Sequence, residues 1–170
     1  ETDGPTGTVA LADALLLMDF EVVLITDAIS YKALEVIAPR RAKCVEFPTR
    51  DHTESKELAE ALIELHKPSV IGYIERPGFN RKNRYLNMHG ADITRYCAMT
   101  DYLLETRLPS FAVGDGGNEA GMGKYADELL REGITKNPSI CTTDEVVAAS
   151  VSNWGAFGIV AYLSIYRGRD

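Results

Sequence analysis

The chain is poor in cysteine, and its three thiols, Cys44, Cys97 and Cys141, lie far apart with no C-x-x-C spacing. That excludes both a disulfide framework and a zinc-finger ligand set, and it fits a reducing compartment. Long hydrophobic runs are missing too. Stretches such as Val22–Ile25 fall far short of the ~20 apolar residues that cross a bilayer. Positive charge is in deficit, with 18 basic against 25 acidic residues and a net charge of −7. A chain of this balance lacks the cationic face that displaces counterions from nucleic acid. No Lys follows the last glycine of the first loop, so there is no P-loop. No G-x-S-x-G elbow and no H-E-x-x-H pair occurs, which leaves hydrolase triads and zincin chemistry unsupported.

What is present is an ordinary globular mixture. The 170 residues are 45% hydrophobic and 25% charged, the size of one domain on the usual scale of roughly 100–200 residues. The chain opens on Glu1 rather than Met, so one domain over 1–170 that lacks an N-terminal portion is expected. The patterning predicts helices over Thr8–Phe20, Tyr31–Ile37, Ser55–His66, Ile93–Thr106, Lys124–Arg131 and Trp154–Tyr166. It predicts strands over Glu21–Asp27, Cys44–Phe47, Ser69–Ile74, Ser110–Val113 and Ile140–Cys141. Gly78–Gly90 reads as a polar loop. Such alternation implies an α/β fold, layered α/β/α, with a mainly parallel central sheet. Ligands in such sheets sit at the carboxyl ends of the strands.

Four segments fall where that rule puts a site. Glu1–Thr8 (ETDGPTGT) precedes a helix, and its glycines and free amides suit a carboxylate. A plain capped turn explains it equally simply. Glu75 and Arg76 end a hydrophobic strand before Pro77 and Gly78, an acid and a base that suit a zwitterion or form a surface ion pair. Gly114–Gly123 (GDGGNEAGMG) holds five glycines between a strand and a helix. Its backbone can form an anion nest, and Asp115, Asn118 and Glu119 add groups that move protons or orient an amine. Val151–Gly158 (VSNWGAFG) starts the last helix, with Ser152 or Asn153 as its cap. His52, His66 and His89 have no metal spacing.

Together these stretches, with IERPG at 74–78 and YLNMHGADIT at 85–94, resemble the C-terminal catalytic region of the D-glutamate cyclase family in order and separation. The resemblance implies a carbon–oxygen lyase that turns D-glutamate into 5-oxo-D-proline and water. It associates animal members with the mitochondrial matrix and places bacterial ones in the cytoplasm. No nucleic-acid or membrane partner is expected, and an oligomer is allowed. The chemistry needs a base for the ammonium, donors for the oxyanion and an acid for the departing hydroxide. It needs no nucleophilic residue and no cofactor. A divalent cation is compatible with Asp3, Asp115 and Glu119, but no ligand spacing fixes a metal.

On this reading Glu119, with Asp115, is the acid/base group. The substrate carboxylates are expected at the amides of Gly7, Thr8, Gly116, Gly117 and Asn118, helped by Arg76. Asp3 or Glu75 receives the ammonium, and Asn118 and Asn153 orient the reacting carboxyl. The competing reading is a domain that binds an amino acid or a phosphorylated ligand without turning it over. The acids Asp3, Glu75, Asp115 and Glu119 count against phosphate.

Overall fold

The computed structural model describes residues 3–168. Strand β1 (Val23–Asp27) and strand β2 (Lys43–Phe47) pair in parallel, Val23 beside Lys43 and Asp27 beside Phe47. Strands β3 (Ile71–Ile74), β4 (Ser110–Gly114) and β5 (Glu145–Ala148) form a second parallel sheet with β4 in the middle. Here Ile74 lies beside Val113, and Gly114 beside Ala148. The expected α/β layering with parallel strands is therefore present, its strands shared between two sheets.

The helices follow from local chemistry. Helix α1 (Pro5–Leu17) begins with Pro at its first turn, where the missing N–H costs nothing. In α2 (Ala28–Ile37) the Asp27 carboxylate accepts from Ser30 N at 3.3 Å, and in α3 (His52–His66) Asp51 accepts from Glu54 N at 2.9 Å. Helix α4 is short (Ala126–Arg131), and α5 (Ser152–Arg167) closes the fold. Leu24 of β1 packs with Ala12 and Leu34 of α1 and α2, while Ile25, Val45 and Phe47 face Leu62 of α3. In the larger sheet Gly155 of α5 sits so close to the strands that a Cβ there would lie 2.6 Å from Val113. The opposite face, Tyr73 and Ala112, packs on Ala120 from the glycine-rich loop.

Two expected elements differ. Ile93–Thr106 is not a helix but two 3₁₀ turns, Thr94–Tyr96 and Thr100–Glu105. Tertiary hydrogen bonds take the polar groups that a helix would leave in water. Tyr85 N donates to Thr94 Oγ1 at 3.0 Å. The buried Asp101 carboxylate accepts from Phe79 N at 2.8 Å, from the Cys141 thiol at 2.6 Å and from the Tyr85 hydroxyl. Ile140–Cys141 is not a strand either. Its backbone serves the glycine loop, with Cys141 O accepting from Gly121 N at 2.9 Å and Gly123 N at 3.0 Å. The strand is β5, four residues on, a half-exposed edge whose two valines give only a weak signal.

Candidate functional site

The carboxyl ends of β3, β4 and β5 converge with the starts of α1 and α5, where a parallel sheet presents its ligand site. The two helix starts are capped reciprocally. Asp3 accepts from Ser152 N at 2.8 Å and Asn153 N at 2.7 Å, closing the first turn of α5 from the far end of the chain. Asn153 Oδ1 in turn accepts from Gly4 N at 3.0 Å and Gly7 N at 2.7 Å, at the start of α1. Close approach requires glycine at both contacts. A Cβ on Gly7 would lie 2.8 Å from that of Ala156. On Gly4, held at φ +97°, it would lie 2.9 Å from that of Glu75.

Glu75 follows β3 in the left-handed region, φ +52°, unusual for a side chain of this size. The turn carries its carboxylate to Ser152, whose hydroxyl donates to Oε2 at 2.5 Å. One oxygen from each of Asp3, Glu75 and Asp115 falls within 4.8 Å of the others. Burial pushes the Glu75 carboxyl up to about 8. The Ser152 hydrogen bond opposes that shift, and the negative neighbours Glu119, Asp115 and Asp3 add to it.

Glu119 stands elsewhere than its expected place against a ligand. It is 1% exposed, and its two oxygens accept from Gly116 N at 3.1 Å and Gly117 N at 2.8 Å. The anion nest of the glycine loop is thus filled by the loop's own side chain. A Cβ at Gly114 would lie 2.9 Å from Glu119 Oε2. The expected amides of Gly7 and Thr8 are likewise bonded internally, Gly7 N to Asn153 and Thr8 N to Gly4 O at 2.9 Å. Their preference for an anion or carbonyl is met within the fold. Asn118 lies on the loop rim, its Nδ2 donating to Leu86 O at 3.1 Å. The glycine loop and the turn after β3 are joined along their backbones, Ala120 N to Arg76 O at 2.7 Å and Gly78 N to Asn118 O at 2.9 Å.

Arg76 also departs from its expected place beside a substrate carboxylate. Its guanidinium is ion-paired with Asp27 at the end of β1, donates to Ala98 O at 2.7 Å, and reaches Thr100 Oγ1 through Nε at 3.3 Å. Asp27 is buried and Arg76 largely so, and the pair ties the end of the two-stranded sheet to the end of β3. A buried Arg needs such a set of acceptors.

Of the sequence-selected residues, the structure brings Asp3, Glu75 and Asp115 into one cluster, with Asn153 at its edge. Glu119, Gly116 and Gly117 form the wall beside it. The sequence offers Ser152 only as a helix cap, and nothing in its neighbourhood signals a partner 77 residues away. The three clustered carboxylates are also an oxygen donor set of the kind a hard divalent cation takes. A cleft of about 330 Å³ lies apart from these residues, lined by His52, Phe79, Asp101, Tyr102 and Cys141 among others.

Two comparisons bear on this arrangement. A family model described as "D-glutamate cyclase-like, C-terminal" matches residues 1–170. The chain is also 30% identical over 183 residues to human "D-glutamate cyclase, mitochondrial", an alignment covering 97% of this chain and 30% of that relative. The chain therefore spans about a third of the length of that relative. With the whole chain matched by the family model, and the strand-end carboxylates drawn from the segments that carry the resemblance, the protein belongs to the D-glutamate cyclase-like C-terminal family.

Proposed function

We propose that this domain closes D-glutamate to 5-oxo-D-proline with release of water. The observation that carries the reading is the meeting of the Asp3, Glu75 and Asp115 carboxyl groups at the strand ends, where burial pushes the Glu75 carboxyl up to about 8. In the reaction the substrate nitrogen forms a bond to its own side-chain carboxyl carbon, and one carbon–oxygen bond of that carboxyl breaks. The departing oxygen takes two protons, and the ammonium loses two, so the site relays protons and consumes none. Asp3 and Asp115 attract the ammonium, and Asp115 accepts its proton. Glu75 gives its proton to the leaving oxygen and is reprotonated as the nitrogen sheds its second, and Asp115 passes on the proton it accepted, which completes the water and restores both carboxyl groups. A group near neutrality serves both directions of such a transfer. Holding the substrate folded supplies further acceleration, as in other ring closures. Glu119 acts through the loop it braces. In an animal chain the reading places the domain in the mitochondrial matrix, and in a bacterial chain in the cytoplasm.

The test follows D-glutamate and 5-oxo-D-proline by proton NMR with the full chain. Turnover that is lost in Glu75→Gln while the fold is kept supports the proposal. A folded protein that leaves D-glutamate unchanged, or Glu75→Gln with unchanged turnover, overturns it. A second reading rests on the same cluster: with a divalent cation on Asp3, Glu75 and Asp115, all three would stay ionised and the ion would polarise the substrate carboxyl. Calorimetric titration of the protein with Mg²⁺ and Ca²⁺, before and after chelation, separates the two.

A further inference from the structure

Helix α5 is apolar on two sides. Its inner side, with Ser152, Gly155 and Ala156 buried, packs on α1 and β4. Its outer side carries Trp154, Phe157, Gly158, Ala161, Tyr162, Ile165 and Tyr166, all exposed. These positions recur at i, i+3, i+4, i+7, i+8, i+11 and i+12, an unbroken seam on one face. Trp154 is 66% exposed, Tyr162 67%, Tyr166 74% and Ile165 78%. No charged residue interrupts the helix before Arg167. A helix that is hydrophobic all round belongs in an interior.

We propose that this seam is the interface of a two-fold symmetric dimer, α5 of one copy lying antiparallel on α5 of the other. The sequence of the seam is complementary to itself in that arrangement. With the axis between Ile159 and Val160, Gly158 faces Ala161 of the second copy, Phe157 faces Tyr162, and Trp154 faces Ile165. Small residues meet where the helices cross, and large ones meet where they diverge, as ridge-and-groove packing requires. Each contact occurs twice, as in any isologous interface.

The size is also right. Taking ~150–250 Å² for a fully buried aromatic side chain, the exposed parts of the four aromatics and Ile165 offer roughly 600–700 Å² per copy. A stable standard interface buries about 800 Å² per partner. The neutrality of the seam selects the partner class. A net charge of −7 opposes self-association through acidic faces, and this face carries no acid. An anionic lipid surface would call for Lys and Arg flanking the aromatics, and the helix supplies Arg167 alone. The helix is 16 residues long, about 24 Å. No described helix is long and apolar enough to cross a membrane.

The experiment measures the mass of the full chain in solution by light scattering coupled to size exclusion, with two sets of substitutions. The unsubstituted protein is expected at twice the chain mass, and Tyr162→Glu with Ile165→Glu at the chain mass with an unchanged circular dichroism spectrum. Ala161→Cys, near the axis, is expected to give a disulfide-linked dimer under mild oxidation that the unsubstituted protein does not give. A monomer at micromolar concentration overturns the proposal, and one that instead binds detergent micelles or neutral vesicles assigns the seam to another occupant. A dimer indifferent to the double substitution, or one that Ala161→Cys fails to link, places the interface elsewhere and overturns it as well.

Discussion

Glu75 and Glu119 lie at the ends of neighbouring parallel strands, both within the family's motifs, and are treated in opposite ways. The glycine loop after β4 folds its amides around Glu119, one N–H to each oxygen, and leaves it 1% exposed. The turn after β3 gives Glu75 a single hydroxyl donor and sets it among carboxylates. Two backbone donors fix Glu119 in the scaffold, whereas burial and like charges around Glu75 raise its carboxyl. Sequence alone favours Glu119 for reactivity because it sits in the richer motif. The structure shows that a dense glycine motif can be spent on holding its own acid.

The comparison is tested first by Glu75→Gln. Gln matches the shape of the protonated acid but cannot give its proton away, so turnover of D-glutamate is expected to fall by ~10²–10⁴-fold with the fold intact. Proton NMR of the product gives the rate, and a loss below about tenfold would break the assignment. Next is Arg76→Ala, which leaves Asp27 buried without its partner. Losing one half of a buried pair costs about 3–5 kcal/mol, read from urea denaturation. An unchanged midpoint would mean the sheets are not tied there.

Glu119→Gln should lower stability by about 1–3 kcal/mol, because its NH₂ group is set against an amide N–H that the carboxylate now satisfies. Equal stability of Glu119→Gln and Glu75→Gln at about pH 7 would erase the distinction between the two sites.

A last expectation concerns pH dependence. The Glu75 carboxyl is raised from 4.5 to about 8, so between these values the folded protein holds a proton that the unfolded chain has released. The contribution of Glu75 to stability is complete below about pH 4.5 and is lost as pH rises through about 8. Thermal unfolding from about pH 5 to 9 should decline less steeply in Glu75→Gln than in the unsubstituted protein. Parallel curves would show that Glu75 is ionised throughout.

The elements with strong periodicity, such as α3, or with a short apolar run ahead of a turn, such as β1 and β4, are legible because local pattern decides them. The segment 93–106 is not, because Thr94 and Asp101 are bonded to residues brought near only by folding. The site shows the same division. The gathering of Asp3, Glu75, Asp115 and Asn153 follows from their places at strand ends and helix starts. Their partners do not. Arg76 finds Asp27 across 49 positions and Glu75 finds Ser152 across 77, separations at which no sequence pattern says which donor meets which acceptor.

The reciprocal caps between Asp3 and Asn153 have a consequence for biosynthesis. The amides that donate to Asp3 lie 149 and 150 residues further along the chain. Contacts of such separation are the slowest to form. Until Ser152 and Asn153 have been made, α1 lacks its cap and Glu75 lacks its hydroxyl partner. Strands β1 to β5 all precede Ser152, so the chain can complete both sheets before the donors to Asp3 and Glu75 are made. A stop before Ser152 would keep strands β1 to β5 and remove the donors that hold Asp3 and Glu75.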